Sequence, residues 1–268
     1  MKARGLAAAL ALALVAAPAG AVEENPDGGV QGGTLAADED PPAADPKGFD
    51  DPWEPMNRKI FAFNETVDRF VLEPVATGWD VVVPDRVQTA IGHFFDNLEL
   101  PVHFANDLLQ LKIEQAYETF WRALVNTSIG LGGFFDPASY FQIKKSDEDF
   151  GQTLGYWGTP PGPYLVLPLL GPSNPRDTVG MAVDSFGTVY SYFVPFWASA
   201  GARAIDVVNR RAAVLETIRE ERAAAFDWYA AVRSASTQYR ENRVRDRADE
   251  KKKTKEASDE DLYGDENQ

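Results

Sequence analysis

The chain has 268 residues, a formal net charge of −15, two histidines and no cysteine. So acidic a surface repels phosphate backbones, which excludes a nucleic-acid binder, and a chain without thiols has no disulfide or cysteine chemistry. The length suits terminal segments around one domain with a real core.

Residues 1–21 read as a cleavable export signal. Lys2 and Arg4 precede an apolar run from Leu6 to about Ala17, and Ala19, Gly20 and Ala21 supply a small-x-small cleavage pattern. The run is shorter than the ~20 residues that span a bilayer. Residues 22–50 are Gly, Pro, Ala and acid, too poor in large apolar side chains to order themselves, and are expected to form a disordered tether. The charged tail, residues 249–268, is expected to be mostly disordered for the same reason. The folded domain is then 51–248, with no internal repeat.

Helical periodicity dominates that domain. Ile60, Phe63, Val67 and Phe70 form one apolar stripe on a helix predicted to start near Pro55 and stop before Pro74. Val87, Ile91, Phe94 and Leu98 repeat the pattern after Pro84. Ile113, Ala116, Phe120 and Leu124 form a third stripe that ends at Gly130, Gly132 and Gly133. Asn174 as cap and Pro175 in the first turn open a helix bearing Val179, Val183, Phe186 and Tyr190 on one face. The longest helix is predicted from about Ala202 into the 240s, with Ile205, Val208, Ala212, Leu215, Ile218, Ala225, Tyr229 and Val232 facing inward. The best strand candidate, Tyr164 to Leu170, is interrupted by Pro168, so a regular sheet is not expected there.

Two features are unusual for a soluble helical domain. Six aromatics, Phe186, Tyr190, Tyr192, Phe193, Phe196 and Trp197, fall within twelve residues. Such rings suit a membrane interface, where one end stays wet, and an aromatic core equally well. Glycines and prolines also lie inside the domain, so long stretches of backbone must be wetted by solvent or by a water-filled cavity.

No catalytic constellation is found. His93 and His103 are ten residues apart, which fits no zinc motif, and they read as helix-surface or interface residues. No serine sits in a nucleophile elbow, and Gly130 to Gly133 lacks the Lys-Ser/Thr ending of a phosphate loop. Asp147, Glu148 and Asp149 lack calcium-loop spacing and read as a solvated loop. No metal or other cofactor is implied.

A long ordered series of residues resembles a known family. Asp51-Pro52-Trp53-Glu54-Pro55-Met56-Asn57-Arg58 with Phe61-Ala62-Phe63-Asn64 looks like the opening signature of the MlaA (VacJ) lipoproteins, and Glu73-Pro74-Val75 and Val83-Pro84 follow in order. The similarity continues through Asn97-Leu98, Arg122, Asn126-Thr127 and the run Gly132-Gly133-Phe134-Phe135-Asp136-Pro137-Ala138. It is strongest from Asp149 to Gly155, from Gly162 to Ser173, and at Arg176-Asp177.

The resemblance implies an all-α fold: amphipathic helices forming a ring in the inner leaflet of the outer membrane, around a polar central channel. It implies transport of phospholipid that has strayed into the outer leaflet, a trimeric outer-membrane porin beside the protein, and a soluble periplasmic lipid carrier as acceptor. Asn57, Arg58, Asn64, Asn126, Asp136, Arg176 and Asp177 are then channel or structural polar residues without catalytic roles, and the aromatics from Phe186 to Trp197 embed in lipid. Family members carry a lipid-bearing cysteine after the leader. Its absence here gives the expectation of a protein that is not lipidated and is held at the periplasmic side of the outer membrane by its own apolar perimeter. Two other functions fit the sequence: a periplasmic scaffold at a porin or the cell wall, and a phospholipid hydrolase.

Overall fold

The computed structural model describes residues 51–188 and 193–244. The expected leader, tether and charged tail lie outside them, as do Tyr190 and Tyr192. Helix α1 (Glu54–Val67) begins with Pro55 in its first turn, where a missing N–H costs nothing. It does not end before Pro74 in a loop. A π-helical turn, Asp68–Leu72, leads directly into α2 (Glu73–Val82), so that Pro74 becomes a first-turn residue of a new helix instead of an interior one.

Helix α3 (Asp85–Leu109) carries Pro101 in its interior and packs along α4 (Ile113–Ser128). A turn with Leu131, Gly132 and Gly133 at positive φ leads to the short α5 (Pro137–Tyr140). Helix α6 (Phe150–Tyr156) is followed by a two-stranded antiparallel hairpin, β1 (Leu165–Leu167) and β2 (Gly171–Ser173), in which Val166 pairs with Pro172. Three-residue strands are what a proline-rich segment allows. Helix α7 (Pro175–Gly187) starts as predicted: the Asn174 side chain accepts from the Asp177 amide at 2.9 Å, with Pro175 in the first turn.

The single long C-terminal helix of the sequence reading is instead three. Val214, at φ −113° and ψ 15°, separates α8 (Phe196–Ala213) from α9 (Leu215–Ala224), and Ala225 is extended at ψ 129°. Helix α10 then runs through 228–244. None of these break points is a Gly or Pro, which is why the sequence reads as one continuous helix. Among the described residues, no helix is long and apolar enough to cross a membrane.

The burial pattern is inverted. Among the described residues, buried polar and charged side chains outnumber buried apolar ones, and the two apolar clusters are small: Ala76, Ala212 and Leu215 with Trp79, and Tyr164, Val166 and Tyr229 with Ile60 and Phe61. Ala116, Ala212, Leu215 and Tyr229 are buried as expected, but much of the stripes' apolar surface faces outward. Phe63 and Phe70 on the first stripe are 51% and 73% exposed, while Asn57 and Asn64 on the same helix are buried. Helix α8 buries Arg203, Asp206, Asn209 and Arg211 and leaves Ile205 exposed, which reverses the inward face expected for Ile205. Val87, Phe120, Leu124, Val179 and Val183 are exposed likewise. In water such a surface is unfavourable at roughly 25 cal/mol per Å² of apolar area, so its extent points to an apolar environment around the perimeter.

Candidate functional site

Helices α3, α4 and α5 and the segment after α5 enclose a cavity of about 430 Å³. Most of its lining residues are polar: His93, Asp96 and Asn97 come from α3, Arg122 and Asn126 from α4, Ser139 from α5, and Asp136, Lys144 and Lys145 from the flanking segments, with Leu100 and Ile143 adding apolar surface. Arg122 and Asn126 stand one helical turn apart and so point to the same side. The Arg122 guanidinium bonds the carboxylate of Asp136, the Ser139 hydroxyl at 2.9 Å and the Ile143 carbonyl at 2.5 Å. Asn126 donates to Asp136 Oδ1 at 2.9 Å and accepts from the Ala138 amide at 3.0 Å. Burial pushes the Asp136 carboxyl up, but the Ser139 and Asn126 hydrogen bonds and the Arg122 charge bring it below the usual range, so it stays ionised.

Asp96 sits between two cations, Lys145 at 2.8 Å and Arg210 at 3.2 Å, and Arg210 continues to Asp206 at 2.8 Å. These pairs tie α8 and the loop before α6 to α3. The cavity therefore has alternating charge and hydrogen-bonding capacity around its wall.

A second group of buried polar side chains joins α3 and α4 to the segment before α6. Thr119 and Ser146 donate to Asp107 at 2.6 and 2.8 Å, and Gln110 donates to Glu148 at 2.8 Å. Lys112 reaches Glu148 at 3.3 Å, and His103 Nδ1 lies 2.7 Å from the Glu148 carbonyl. The expected solvated acidic loop is thus corrected: Glu148 is fully buried, and Asp149 caps α6 through the Gln152 amide at 2.8 Å. Both histidines are partly buried.

The residues singled out in the sequence do not converge on one place. Asn126 and Asp136 line the cavity. Asn57 and Asn64 hold the hairpin: Asn57 bonds the Tyr164 carbonyl and the Val166 amide, and Asn64 the Leu167 carbonyl and the Leu169 amide. Arg58 is exposed, pairs with Glu54 and Asp227, and lies 4.3 Å from the Tyr229 ring centre. Arg176 and Asp177 bond each other at 2.9 Å, and Asp177 also takes Arg240 at 2.8 Å. Arg122, Asp96 and Lys145 were missed. Arg122 had a signal, since it sits four residues before Asn126 on the face opposite the apolar stripe.

Of the aromatics expected at a membrane interface, Phe186, Phe193 and Trp197 are 65%, 83% and 82% exposed, and Phe196 is half-buried. Among the described residues no cluster of three or more metal-binding side chains occurs.

The comparisons bear on the whole domain. A family described as MlaA lipoprotein matches residues 49–243. The intermembrane phospholipid transport system lipoprotein MlaA of Haemophilus influenzae is 34% identical over 208 residues, which cover 73% of this chain and 80% of that protein. The Escherichia coli K12 protein of the same name is 35% identical over 178 residues, covering 65% of this chain and 70% of its own. A solved structure described as the structural basis for maintenance of bacterial outer membrane lipid asymmetry superposes with a TM-score of 0.65 at 33% identity, covering 72% of this chain and 98% of the other. These names correct one expectation: the relatives are lipoproteins, so the reading of an unlipidated protein, drawn from the missing cysteine, does not stand. By the span of the family match and the identity to its members, the chain belongs to the MlaA lipoprotein family.

Proposed function

We propose that this protein is an outer-membrane component of an intermembrane phospholipid transport system, which removes phospholipid from the outer leaflet and delivers it towards the periplasm. The observation that carries the reading is the inverted burial. Apolar side chains form the exposed perimeter, and ion pairs and amides fill the interior. A phospholipid has the same two needs as the protein presents: tails that avoid water and a head group that keeps its hydrogen bonds. A protein whose outside suits tails and whose inside suits head groups offers both at one boundary.

In this reading the cavity bounded by Arg122, Asn126, Asp136, Asp96 and Lys145 is part of the polar path. Its cations match phosphate and its carboxylates match an amine, so a zwitterionic head group would meet partners of both signs. Passage needs weak, multiple contacts, and no bond is made or broken, so the protein acts without catalysis. A porin in the outer membrane and a soluble periplasmic carrier are the partners the reading calls for. The remaining polar residues, Asn57, Asn64, Arg176 and Asp177, support the frame, and Phe186, Phe193, Phe196 and Trp197 contribute to membrane contact alongside any lipid anchor.

The test is deletion of the gene followed by labelling of outer-leaflet phospholipid at the cell surface. Surface phospholipid is expected to rise on deletion, to return to normal with the wild-type gene, and to stay high with Arg122→Met. An unchanged surface label on deletion would refute the proposal.

A further inference from the structure

A second concavity, about 700 Å³ and open to the surface, lies between the π-helical turn, α2 and α9. Three of its lining residues are arginines, Arg69, Arg219 and Arg222, against a single carboxylate, Glu73. Glu73 is shared: its Oε1 takes Arg219 at 2.8 Å and its Oε2 takes Arg222 at 3.4 Å. Arg222 is further held by Asp68 at 2.8 Å and Glu65 at 3.2 Å, neither of which lines the groove. Arg219 also bonds Thr77 Oγ1 at 3.1 Å and pairs with Glu216 at 2.8 Å, so its guanidinium is committed within the protein. Arg69 is exposed and makes no hydrogen bond or ion pair among the described residues. The same turn presents Phe70 and Val71, 73% and 58% exposed, and Val75 follows on α2 at 50%. Arg69 lines the groove with its guanidinium unpaired, and the exposed Phe70 follows it directly in the chain.

The wider π turn sets this up by sending Asp68 inward to Arg211 and Arg222 while Arg69, Phe70 and Val71 project outward. A guanidinium matches phosphate oxygens in a planar fork, and that of Arg69 is uncommitted among the described residues. We propose that this groove binds the phosphate of an anionic phospholipid in the surrounding leaflet, with Arg69 on the phosphate and the lipid tails beside the exposed Phe70 that follows it. The site is separate from the cavity beside Arg122. It rests on the membrane reading above only for the source of its ligand. Bound there, the lipid would fix the rotational setting of α1 and α2 in the membrane plane, and an acidic protein would gain a local grip on a surface that its net charge otherwise repels.

The experiment is flotation of the purified full-length protein with vesicles of phosphatidylcholine alone and of phosphatidylcholine with phosphatidylglycerol, at low and high salt. The expected result is tighter binding to the anionic vesicles, by about fivefold for each arginine engaged, with the difference shrinking at high salt. Arg69→Gln is expected to lower that difference about fivefold and leave phosphatidylcholine binding unchanged, whereas Arg69→Lys keeps most of it and Lys59→Gln, on the same helix run, keeps all of it. Arg69 is exposed and unpaired, so its substitution leaves folding intact. Equal binding to both vesicles, or an equal loss with Lys59→Gln, would overturn the groove proposal while leaving the membrane reading in place. Inorganic phosphate at millimolar concentration abolishing the difference would mean a free-anion site and overturn it too. Binding to neither vesicle would remove both readings.

Discussion

Arg211 and Asp68, 143 residues apart, meet through two nearly parallel hydrogen bonds, Nε to Oδ1 at 2.8 Å and Nη2 to Oδ2 at 3.1 Å. Arg211 is almost fully buried, and Asp68 stands in the π-helical turn, so the pair ties the first helical run to α8. Burial pushes the Asp68 carboxyl up, but hydrogen bonds from Arg211 and Arg222 hold it below its ordinary range. Removing Asp68 leaves the buried Arg211 with only Glu73 at 3.9 Å, at about 3–5 kcal/mol, whereas removing Arg211 leaves Asp68 paired with Arg222 at 2.8 Å and costs less. Asp68→Asn is expected to lower the stability of the detergent-solubilised protein by about 3–5 kcal/mol in denaturant unfolding, and Arg211→Met by less. The double variant Asp68→Leu/Arg211→Met should lose much less than the sum. Additive losses would show that the two residues act independently.

The asparagine clamps give a second expectation. Asn57→Ala and Asn64→Ala each remove one donor and one acceptor from the hairpin backbone, at about 1–3 kcal/mol for the groups left unpaired. Asn64 also steadies Leu169, which sits at φ 61° where a non-glycine residue is strained. Amide hydrogen exchange at Val166 and Leu169 should accelerate in the corresponding variant. Asn→Asp should be as damaging as Asn→Ala, because it loses the donor. Unchanged exchange would mean that the hairpin does not depend on the clamps.

Helices α6 and α7 cross where Gly151 meets Gly180. A Cβ at Gly180 would lie 2.3 Å from the Gly151 nitrogen and 2.6 Å from its Cα, with backbone on both sides and no room to give. Gly180→Ala is expected to cost about 1–3 kcal/mol or more through overpacking. At Gly78, in α2, a Cβ would meet nothing within 4 Å, so Gly78→Ala should be neutral or stabilise by about 0.5–1 kcal/mol. Thermal unfolding of the two variants side by side decides it, and similar shifts would contradict the close crossing.

Two carboxyls divide the acid range. Burial alone would raise Asp149, yet Arg240 at 2.6 Å and the Gln152 bonds bring it down to about 2. Its stabilisation is present above the unfolded value near 4 and is lost as pH falls from there towards 2. Asp184 is opposite: burial pushes it up to about 6, against hydrogen bonds from the Phe150 amide at 2.9 Å and Asn106 at 3.1 Å. The folded state therefore holds this proton more tightly than the unfolded state, and stability falls as pH rises from about 4 to about 6. The unfolding midpoint should peak near pH 4–5, and Asp184→Ala should flatten the slope on the neutral side. A wild-type slope that persists in the variant would assign it to other groups.

Much of the local structure was legible because it is local. The Asn174 cap, the start of α1 at Pro55 and the third stripe through Ile113, Phe120 and Leu124 follow from spacing and from side chains that act within one turn. The direction of a stripe was not legible from periodicity, since a period says that Phe63 and Phe70 share a face and says nothing of what lies against it. Only the family resemblance pointed outward. The breaks at Val214 and Ala225 depend on tertiary contacts and left no glycine or proline behind. The cavity was half legible: Asn126 and Asp136 stood in a motif, whereas Asp96 and Lys145 acquire meaning only when α3 and the loop before α6 come within 2.8 Å.

The fastening of α10 has a consequence for how the chain reaches this state. Asp51, the first described residue, is bound by the Tyr229 hydroxyl and by Arg233 at 3.3 Å, and Arg58 reaches Asp227 at 2.7 Å. These contacts join positions 169 to 182 residues apart. Helices such as α4 can form as soon as they are made, but Asp51 and Tyr164 gain their partners on α10 only when nearly the whole domain is available. Folding must therefore finish late, at the closing of its two ends. Until that contact closes, Asp51 and Tyr164 lack their partners on α10 and the apolar surface of the chain is open to aggregation.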